Sequence, residues 1–80
     1  MDNRLENLQE LIDAIDMGLD IEFSLYGIRY NISTNQTPFI AVCPKGKGEH
    51  YEDGDELVNN HFINGKSLAE QWQEIEIYSM

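Results

Sequence analysis

The spacing of the apolar residues changes near the end of the first quarter of this 80-residue chain, and that change restricts the possible folds more than any other feature. Leucine and isoleucine recur at helical spacing between residues 5 and 15, and acids take most of the positions between them. From Ile21 to Ile32 apolar and polar residues alternate instead, around the pair Tyr26-Gly27. The first pattern predicts an amphipathic helix over residues 3–17. The second predicts a two-stranded hairpin, because glycine accepts the positive φ of a tight turn.

Capping signals indicate where the helices begin and end. In a capping box, an Asn, Asp or Ser stands three residues before a Glu whose side chain reaches back to it. We interpret three pairs with this spacing as helix starts: Asn3 with Glu6, Asp53 with Glu56, and Ser67 with Glu70. The first pair predicts the start of the N-terminal helix, which Gly18 is placed to end. The other two pairs predict two short C-terminal helices.

The apolar run from Phe39 to Cys43 indicates a third strand, which follows a polar turn over residues 33–37. The run is continuous rather than alternating, so we expect this strand to be central or covered on both faces. Pro44 should end it, before a flexible basic loop over residues 45–48.

These signals predict a single α+β domain over residues 1–80 with the element order α-β-β-β-α-α. A three-stranded antiparallel sheet would be covered on one face by the N-terminal helix and two short C-terminal helices. Asn64-Gly65 should turn the chain between those helices, and residues 74–78 alternate, so they could form a strand instead. The expected core is Leu8, Leu11, Ile15, Ile21, Phe23, Ile32, Ile40, Leu57, Leu68 and Trp72.

The composition is strongly acidic, with 15 acids against 5 bases and a formal net charge of −10 at pH 7. Nucleic acids and anionic lipid surfaces would repel such a chain, so we expect it to bind neither directly. No apolar run approaches the ~20 residues that span a bilayer. The single cysteine, Cys43, excludes an internal disulfide and fits a reducing compartment. Since residues 1–6 do not have the pattern of a signal peptide, we expect a cytoplasmic protein.

The motifs that could carry chemistry are weak. Gly65-Lys66-Ser67 resembles the end of a phosphate-binding loop, but Asn60 stands where the first glycine is required. The carboxylates near His50 lack the alternate spacing of a calcium loop, and nothing in the sequence brings the two histidines together with Cys43. A chain of 80 residues also leaves little material for a substrate pocket around that thiol. We therefore expect no enzyme, no metal and no cofactor.

The charges are divided unevenly along the chain. Residues 23–48 contain three bases and no acid, whereas residues 1–22 carry seven acids and residues 49–80 carry eight. An acidic surface can associate quickly with a basic groove through electrostatic steering, although charge can also serve solubility alone. The candidate partner-binding residues are the acids of one short segment, the tyrosine among them and the tyrosine of the hairpin tip: Glu49, Tyr51, Glu52, Asp53, Asp55, Glu56 and Tyr26.

Three segments resemble small acidic proteins of Gram-positive bacteria and their prophages. Those proteins share a hairpin of the form EF-x-x-x-G-x-x-Y-x-I, an acidic D-x-DEL helix start and an I-x-GKSL turn, which match residues 21–32, 51–57 and 63–68 here. The element order and the charge are also similar to those of acidic phage inhibitors of type II-A CRISPR nucleases. In such inhibitors, acidic side chains occupy the positive groove that would receive DNA. The resemblance implies a fold and a setting, and no catalytic residue.

We expect a non-enzymatic phage or prophage protein that binds and inhibits a nucleic-acid-handling protein of its bacterial host, for example a CRISPR nuclease. The acidic segment 49–56 would imitate a phosphate backbone in the partner's basic groove. The alternative is a small structural or assembly module of a mobile element, joined as a homodimer through an exposed sheet edge. A salt-sensitive acidic contact would indicate the first function, and a salt-insensitive apolar self-interface the second.

Overall fold

The computed structural model describes residues 4–43 and 46–80. In these ranges the helices are α1 (Leu8–Asp16) and α2 (Gly54–Asn60), and the strands are β1 (Ile21–Leu25), β2 (Ile28–Asn35), β3 (Thr37–Val42), β4 (Glu49–His50), β5 (Phe62–Ile63), β6 (Lys66–Ser67) and β7 (Glu76–Ser79). Two short 3₁₀ helices, Leu68–Glu70 and Trp72–Glu74, precede β7. Within the same ranges, no helix is long and apolar enough to cross a membrane. Three expectations fall on residues outside them: the Asn3 cap, the strand end at Pro44 and the Lys45 part of the basic loop.

Helix α1 begins later than the sequence pattern predicts. Its N-cap is Asn7, whose Oδ1 accepts a hydrogen bond from the backbone N–H of Glu10 at 2.8 Å. The chain just before this cap is not helical, because Arg4 pairs with Glu76 at the edge of the sheet and Leu5 is buried in the core. The predicted earlier start is therefore wrong, since tertiary contacts hold the preceding residues in another conformation.

The main sheet has five strands rather than three, so the predicted strand number is wrong. Its order is β4-β3-β2-β1-β7, and neighbouring strands are antiparallel. The two additional members lie at the edges: β4 is two residues long, and β7 pairs with β1 across an irregularity between Glu22 and Phe23. Of the two alternatives for residues 74–78, the strand is correct from residue 76 onward. The class is α+β, as predicted.

The predicted hairpin of β1 and β2 is confirmed. Tyr26 and Gly27 form its turn, with φ values of 51° and 81°. Two consecutive positive φ values are typical of a type I′ turn, whose twist matches that of the flanking strands. The next turn is shorter than the predicted 33–37, because β2 continues to Asn35 and Gln36, with a φ of 72°, connects it to β3.

Strand β3 lies inside the sheet between β2 and β4, so the central position predicted from its apolar run is confirmed. Its two faces differ in burial. On the core face Pro38 and Ile40 are buried and Val42, at the strand end, is exposed, whereas Phe39 and Ala41 on the other face are half-buried. Continuous apolarity in β3 therefore does not mean that both of its faces are covered.

The segment after α2 contains a second hairpin and short 3₁₀ helices in place of the last predicted helix. Strands β5 and β6 join at Asn64-Gly65, where φ is 56° and 82°, so the turn predicted at this pair is confirmed. Ser67 caps the first 3₁₀ helix, since its Oγ accepts a hydrogen bond from the backbone N–H of Glu70 at 3.3 Å. The capping prediction is correct, but the helix it starts is a single 3₁₀ turn.

The core lies between the sheet and the two α-helices. Most of the predicted core residues are buried: Leu11, Ile15, Ile21, Phe23, Ile32, Ile40, Leu57 and Leu68. The other two, Leu8 and Trp72, are half-buried and pack against this core. Leu57 and Val58 bring α2 into the same core, so the position of α2 depends on the packing of the whole domain.

Candidate functional site

The N-terminal end of α2 holds four of the predicted partner-binding residues: Glu52, Asp53, Asp55 and Glu56. Asp53 is the N-cap, and its Oδ1 accepts a hydrogen bond from the backbone N–H of Glu56 at 2.8 Å. The Glu56 carboxylate accepts one from the backbone N–H of Glu52 at 3.1 Å. Asp53 and Glu56 therefore stabilise the start of α2, which is the structural role that acids at a helix N-terminus commonly have.

A carboxylate from α1 reaches the same end of α2. Asp16 Oδ1 accepts a hydrogen bond from the backbone N–H of Gly54 at 2.8 Å, across a sequence separation of 38 residues. The helices can approach this closely because Gly54 has no side chain: a Cβ atom there would lie 2.8 Å from the carbonyl oxygen of Ile12. No pattern in the sequence pairs Asp16 with α2, and the sequence analysis missed this residue.

The polar face of α1 continues this group of acids. Asp13 and Asp16 are exposed and stand three residues apart, so their side chains lie on one face of the helix. The Oδ1 atom of Asp13 accepts a hydrogen bond from Nε2 of Gln9 at 2.9 Å. We call the combined surface of the two helices the acidic ridge, and its members are Asp13, Asp16, Glu52, Asp53, Asp55 and Glu56.

The charge of the acidic ridge has no basic counterpart in residues 4–43 and 46–80. None of its carboxylates forms an ion pair with a Lys or Arg in those ranges, and the contact between Nδ1 of His61 and Oε2 of Glu49, at 3.0 Å, lies outside the ridge. Glu52 and Asp55 are exposed, and no hydrogen bond between described residues ties either side chain to a backbone N–H. Among the ridge acids of residues 52–56, these two carboxylates are therefore the most free to meet a partner.

Glu49 and Tyr51 lie at the other end of α2, where they contact the C-cap residue His61. The Tyr51 hydroxyl donates to Oε2 of Glu49 at 3.2 Å and lies 3.0 Å from Nδ1 of His61. The same nitrogen lies 3.0 Å from Oε2 of Glu49. Burial raises the pKa of Tyr51, and the Glu49 and Glu56 carboxylates raise it further, so its hydroxyl stays protonated at neutral pH. His61 is a second residue of this region that the sequence analysis missed.

Tyr26 does not share a surface with the acidic ridge. The ridge lies beside the end of α1, which leads into β1, whereas Tyr26 follows the far end of β1. A strand of five residues is about 16 Å long, so the two places are separated by the length of β1. The Tyr26 hydroxyl donates to Oε1 of the buried Gln71 at 3.0 Å, which gives this tyrosine a structural contact although its side chain is exposed.

Comparisons of the chain with family models, with curated proteins and with solved structures give no match. The resemblance to small acidic proteins of Gram-positive bacteria and their prophages therefore stays a prediction. Function is inferred below from the charges, contacts and exposed surfaces of the chain itself.

Proposed function

We propose that this protein is a non-enzymatic inhibitor that binds a nucleic-acid-handling protein of a bacterial host through the acidic ridge. The ridge occupies a basic groove that is built for nucleic acid, so that a phosphate backbone can no longer enter it. Guide-loaded CRISPR nucleases of type II-A are the partner class implied by the resemblance to acidic phage inhibitors. The protein then acts in the cytoplasm of the host cell.

The observation that supports this proposal most is that two helices place their carboxylates on one surface, where no Lys or Arg of the described residues pairs with them. Like charges held close together repel one another, and this repulsion opposes folding. A cationic groove would offset it, and the acidic surface would also speed the encounter through steering. In the α2 segment, Glu52 and Asp55 are the residues that we assign to the partner contact, since Asp53 and Glu56 bond to backbone N–H groups.

A homodimer is the second candidate, and one edge of the sheet favours it. Strand β7 lies at this edge; Arg4 pairs with it at Glu76, and beyond that pair Tyr78 and Met80 are 53% and 43% exposed. Two copies could pair their β7 strands, which would make the chain an assembly module of a mobile element. The mass in solution separates the candidates, because the inhibitor is expected to be a monomer and the module a dimer.

The inhibitor is tested by target-DNA cleavage with a purified, guide-loaded type II-A CRISPR nuclease that has been incubated with the protein. We compare the wild type with two double variants, Glu52→Gln/Asp55→Asn on the ridge and Glu74→Gln/Glu76→Gln away from it. Each variant loses two negative charges, so both change the net charge from −10 to −8. All four side chains are exposed, which keeps the effect on folding small.

The wild type and the Glu74/Glu76 variant should inhibit cleavage at similar concentrations. The ridge variant should require at least about 10-fold more protein, which corresponds to a loss of ~1.4 kcal/mol in binding. An equal loss in both variants would assign inhibition to net charge rather than to the ridge. Unimpaired cleavage in the presence of the wild type would contradict the assignment to this class of nuclease.

A further inference from the structure

A groove lies beyond the C-terminal end of α2, where the helix no longer covers the core face of β2 and β3. Its volume is about 300 Å³, and its lining includes Tyr30, Val42, Lys47, Glu49, His61 and Phe62. This volume is at the lower end of the range for ligand pockets, and it suits a single large side chain better than a cofactor. The groove and the acidic ridge lie at opposite ends of α2, about 10 Å apart for a helix of seven residues.

Two apolar side chains of the groove are unusually exposed for residues in strands. Phe62 is 58% exposed and Val42 is 42% exposed. Phe62 stands on the β5–β6 hairpin, which Gln71 holds in place: its buried Nε2 donates to the carbonyl oxygens of Ile63 and Lys66, both at 2.9 Å. An apolar side chain on a rigid support loses little freedom when a partner covers it, which lowers the entropic cost of binding there.

The lining of the groove also contains an imidazole ring and a carboxylate. The contacts with Tyr51 and Glu49 fix the ring of His61. The side chain of Glu49 is 64% exposed, so its carboxylate is accessible from solvent while its oxygen holds the imidazole. A ligand in this groove therefore meets apolar and aromatic surface together with the Glu49 carboxylate and the Lys47 side chain, so the excess of negative charge comes from the neighbouring ridge.

We infer that the groove binds one aromatic side chain of a protein partner, flanked there by Lys or Arg. The aromatic ring packs against Phe62 and Val42, while the flanking cations meet Glu49 and the acids of the ridge. A second copy of this chain is a poor occupant, because its own charge of −10 would be repelled by the same acids. The inference rests on the proposed function, since it names the apolar anchor of the basic partner that the ridge attracts.

The test uses two defined peptides, acetyl-Lys-Lys-Trp-Lys-Lys-amide and the same peptide with Gly in place of Trp, titrated into isotope-labelled protein and followed by NMR. The Trp peptide should bind at least about 10-fold more tightly, since a buried aromatic ring contributes ~1.4 kcal/mol or more. It should shift the backbone amide signals of Val42 and Phe62 in addition to those of Glu49 and the ridge, whereas the Gly peptide should shift those of Glu49 and the ridge alone. Phe62→Ala should reduce the affinity of the Trp peptide to that of the Gly peptide.

The matched control is Met80→Ala, which removes an apolar side chain of similar exposure from the far edge of the sheet and should leave the affinity unchanged. Equal affinities for the two peptides, shifts confined to Glu49 and the ridge, or no binding of either peptide would overturn the inference. Its failure is distinct from failure of the proposed function. If the protein inhibits the nuclease but does not prefer the Trp peptide, only the inference about the groove is wrong. If the Trp peptide binds the groove preferentially but the nuclease is not inhibited, only the proposed inhibitor function is wrong.

Discussion

Replacing Asp53 with Ala should destabilise the fold, whereas replacing its neighbour Asp55 with Ala should change stability little. Both substitutions remove one negative charge from the same end of α2, so a difference between them reports the hydrogen bonds. Asp53 Oδ1 accepts from the backbone N–H of Glu56 at 2.8 Å. Among the described residues, the Asp55 carboxylate accepts from the side chain of Asn59, at 3.3 Å. Loss of an N-cap Asp costs about 1 kcal/mol, with a range of about 0.5–2 kcal/mol.

The magnitude follows from what the first turn of α2 supports. The helix is seven residues long, and it contributes the fully buried Leu57 and Val58 to the core. A frayed first turn therefore loosens core packing as well as one hydrogen bond, and we expect about 1–1.5 kcal/mol for Asp53→Ala. Asp55→Ala should stay within about 0.5 kcal/mol of the wild type. In a domain of this size, 1 kcal/mol lowers Tm by about 4–8 °C.

Thermal unfolding followed by circular dichroism at pH 7 measures this difference. A third variant, Asp53→Asn, keeps the side-chain acceptor and removes the charge, so it should remain close to the wild type in Tm. Equal losses for Asp53→Ala and Asp55→Ala would refute the capping role. A loss in Asp53→Asn as large as that in Asp53→Ala would refute it too, because the charge would then be the cause.

Two further predictions concern the packing of the two helices and the decrease of stability at acidic pH. Gly54→Ala should lower the free energy of unfolding, measured in urea, by about 1–3 kcal/mol. Although Ala favours helices, its Cβ would lie 2.8 Å from the carbonyl oxygen of Ile12. A gain in stability would contradict this, because it would mean that the two helices can move apart freely. The hydrogen bonds from Asn31 and Ser33 hold the pKa of Asp20 below its ordinary value of 3.8. The resulting stabilisation is present above that value and is lost as the pH falls through the folded-state pKa, so Asp20→Asn should flatten the loss of stability below about pH 4. The check is the free energy of unfolding of the wild type and of Asp20→Asn from pH 2 to 6, at about one-unit steps. An equal decrease in both proteins below about pH 4 would contradict this role of Asp20.

The parts of the fold that the sequence predicts well are those set by neighbouring residues. Tyr26-Gly27 and Asn64-Gly65 adopt the positive φ values that their turns require. Gly18, with a φ of 78°, ends α1 at the predicted place, where its N–H bonds to the carbonyl oxygen of Ile15 at 3.0 Å. In each case the conformation depends on a few adjacent residues, so a local pattern carries enough information.

The parts that the sequence did not predict depend on contacts between distant segments. Strand β4 has two residues, too few for an alternating pattern, and it exists because Glu49 and His50 pair with β3. The start of α1 was misplaced because a second Asn-x-x-Glu pair, Asn7 with Glu10, provides the actual cap. The residues before Asn7 take part in other contacts, the burial of Leu5 and the pairing of Arg4 with Glu76, which no local rule contains.

The candidate site was predicted in part for the same reason. The capping box at Asp53 and Glu56 is a local signal, and it correctly placed acids at the start of α2. The addition of Asp16 to that surface results from the packing of two helices, and the contact of Glu49 with His61 results from the pairing of β4 with β3. Short-range spacing therefore located the acids, but it could not show which of them share a surface.

The acidic ridge is tested most directly by the salt dependence of binding to the guide-loaded type II-A nuclease. We predict that the logarithm of the association constant of the wild type falls steeply with the logarithm of the salt concentration. The slope should be smaller for Glu52→Gln/Asp55→Asn and unchanged for Glu74→Gln/Glu76→Gln. An association constant that does not change with salt, or one slope shared by both double variants, would contradict binding through the ridge.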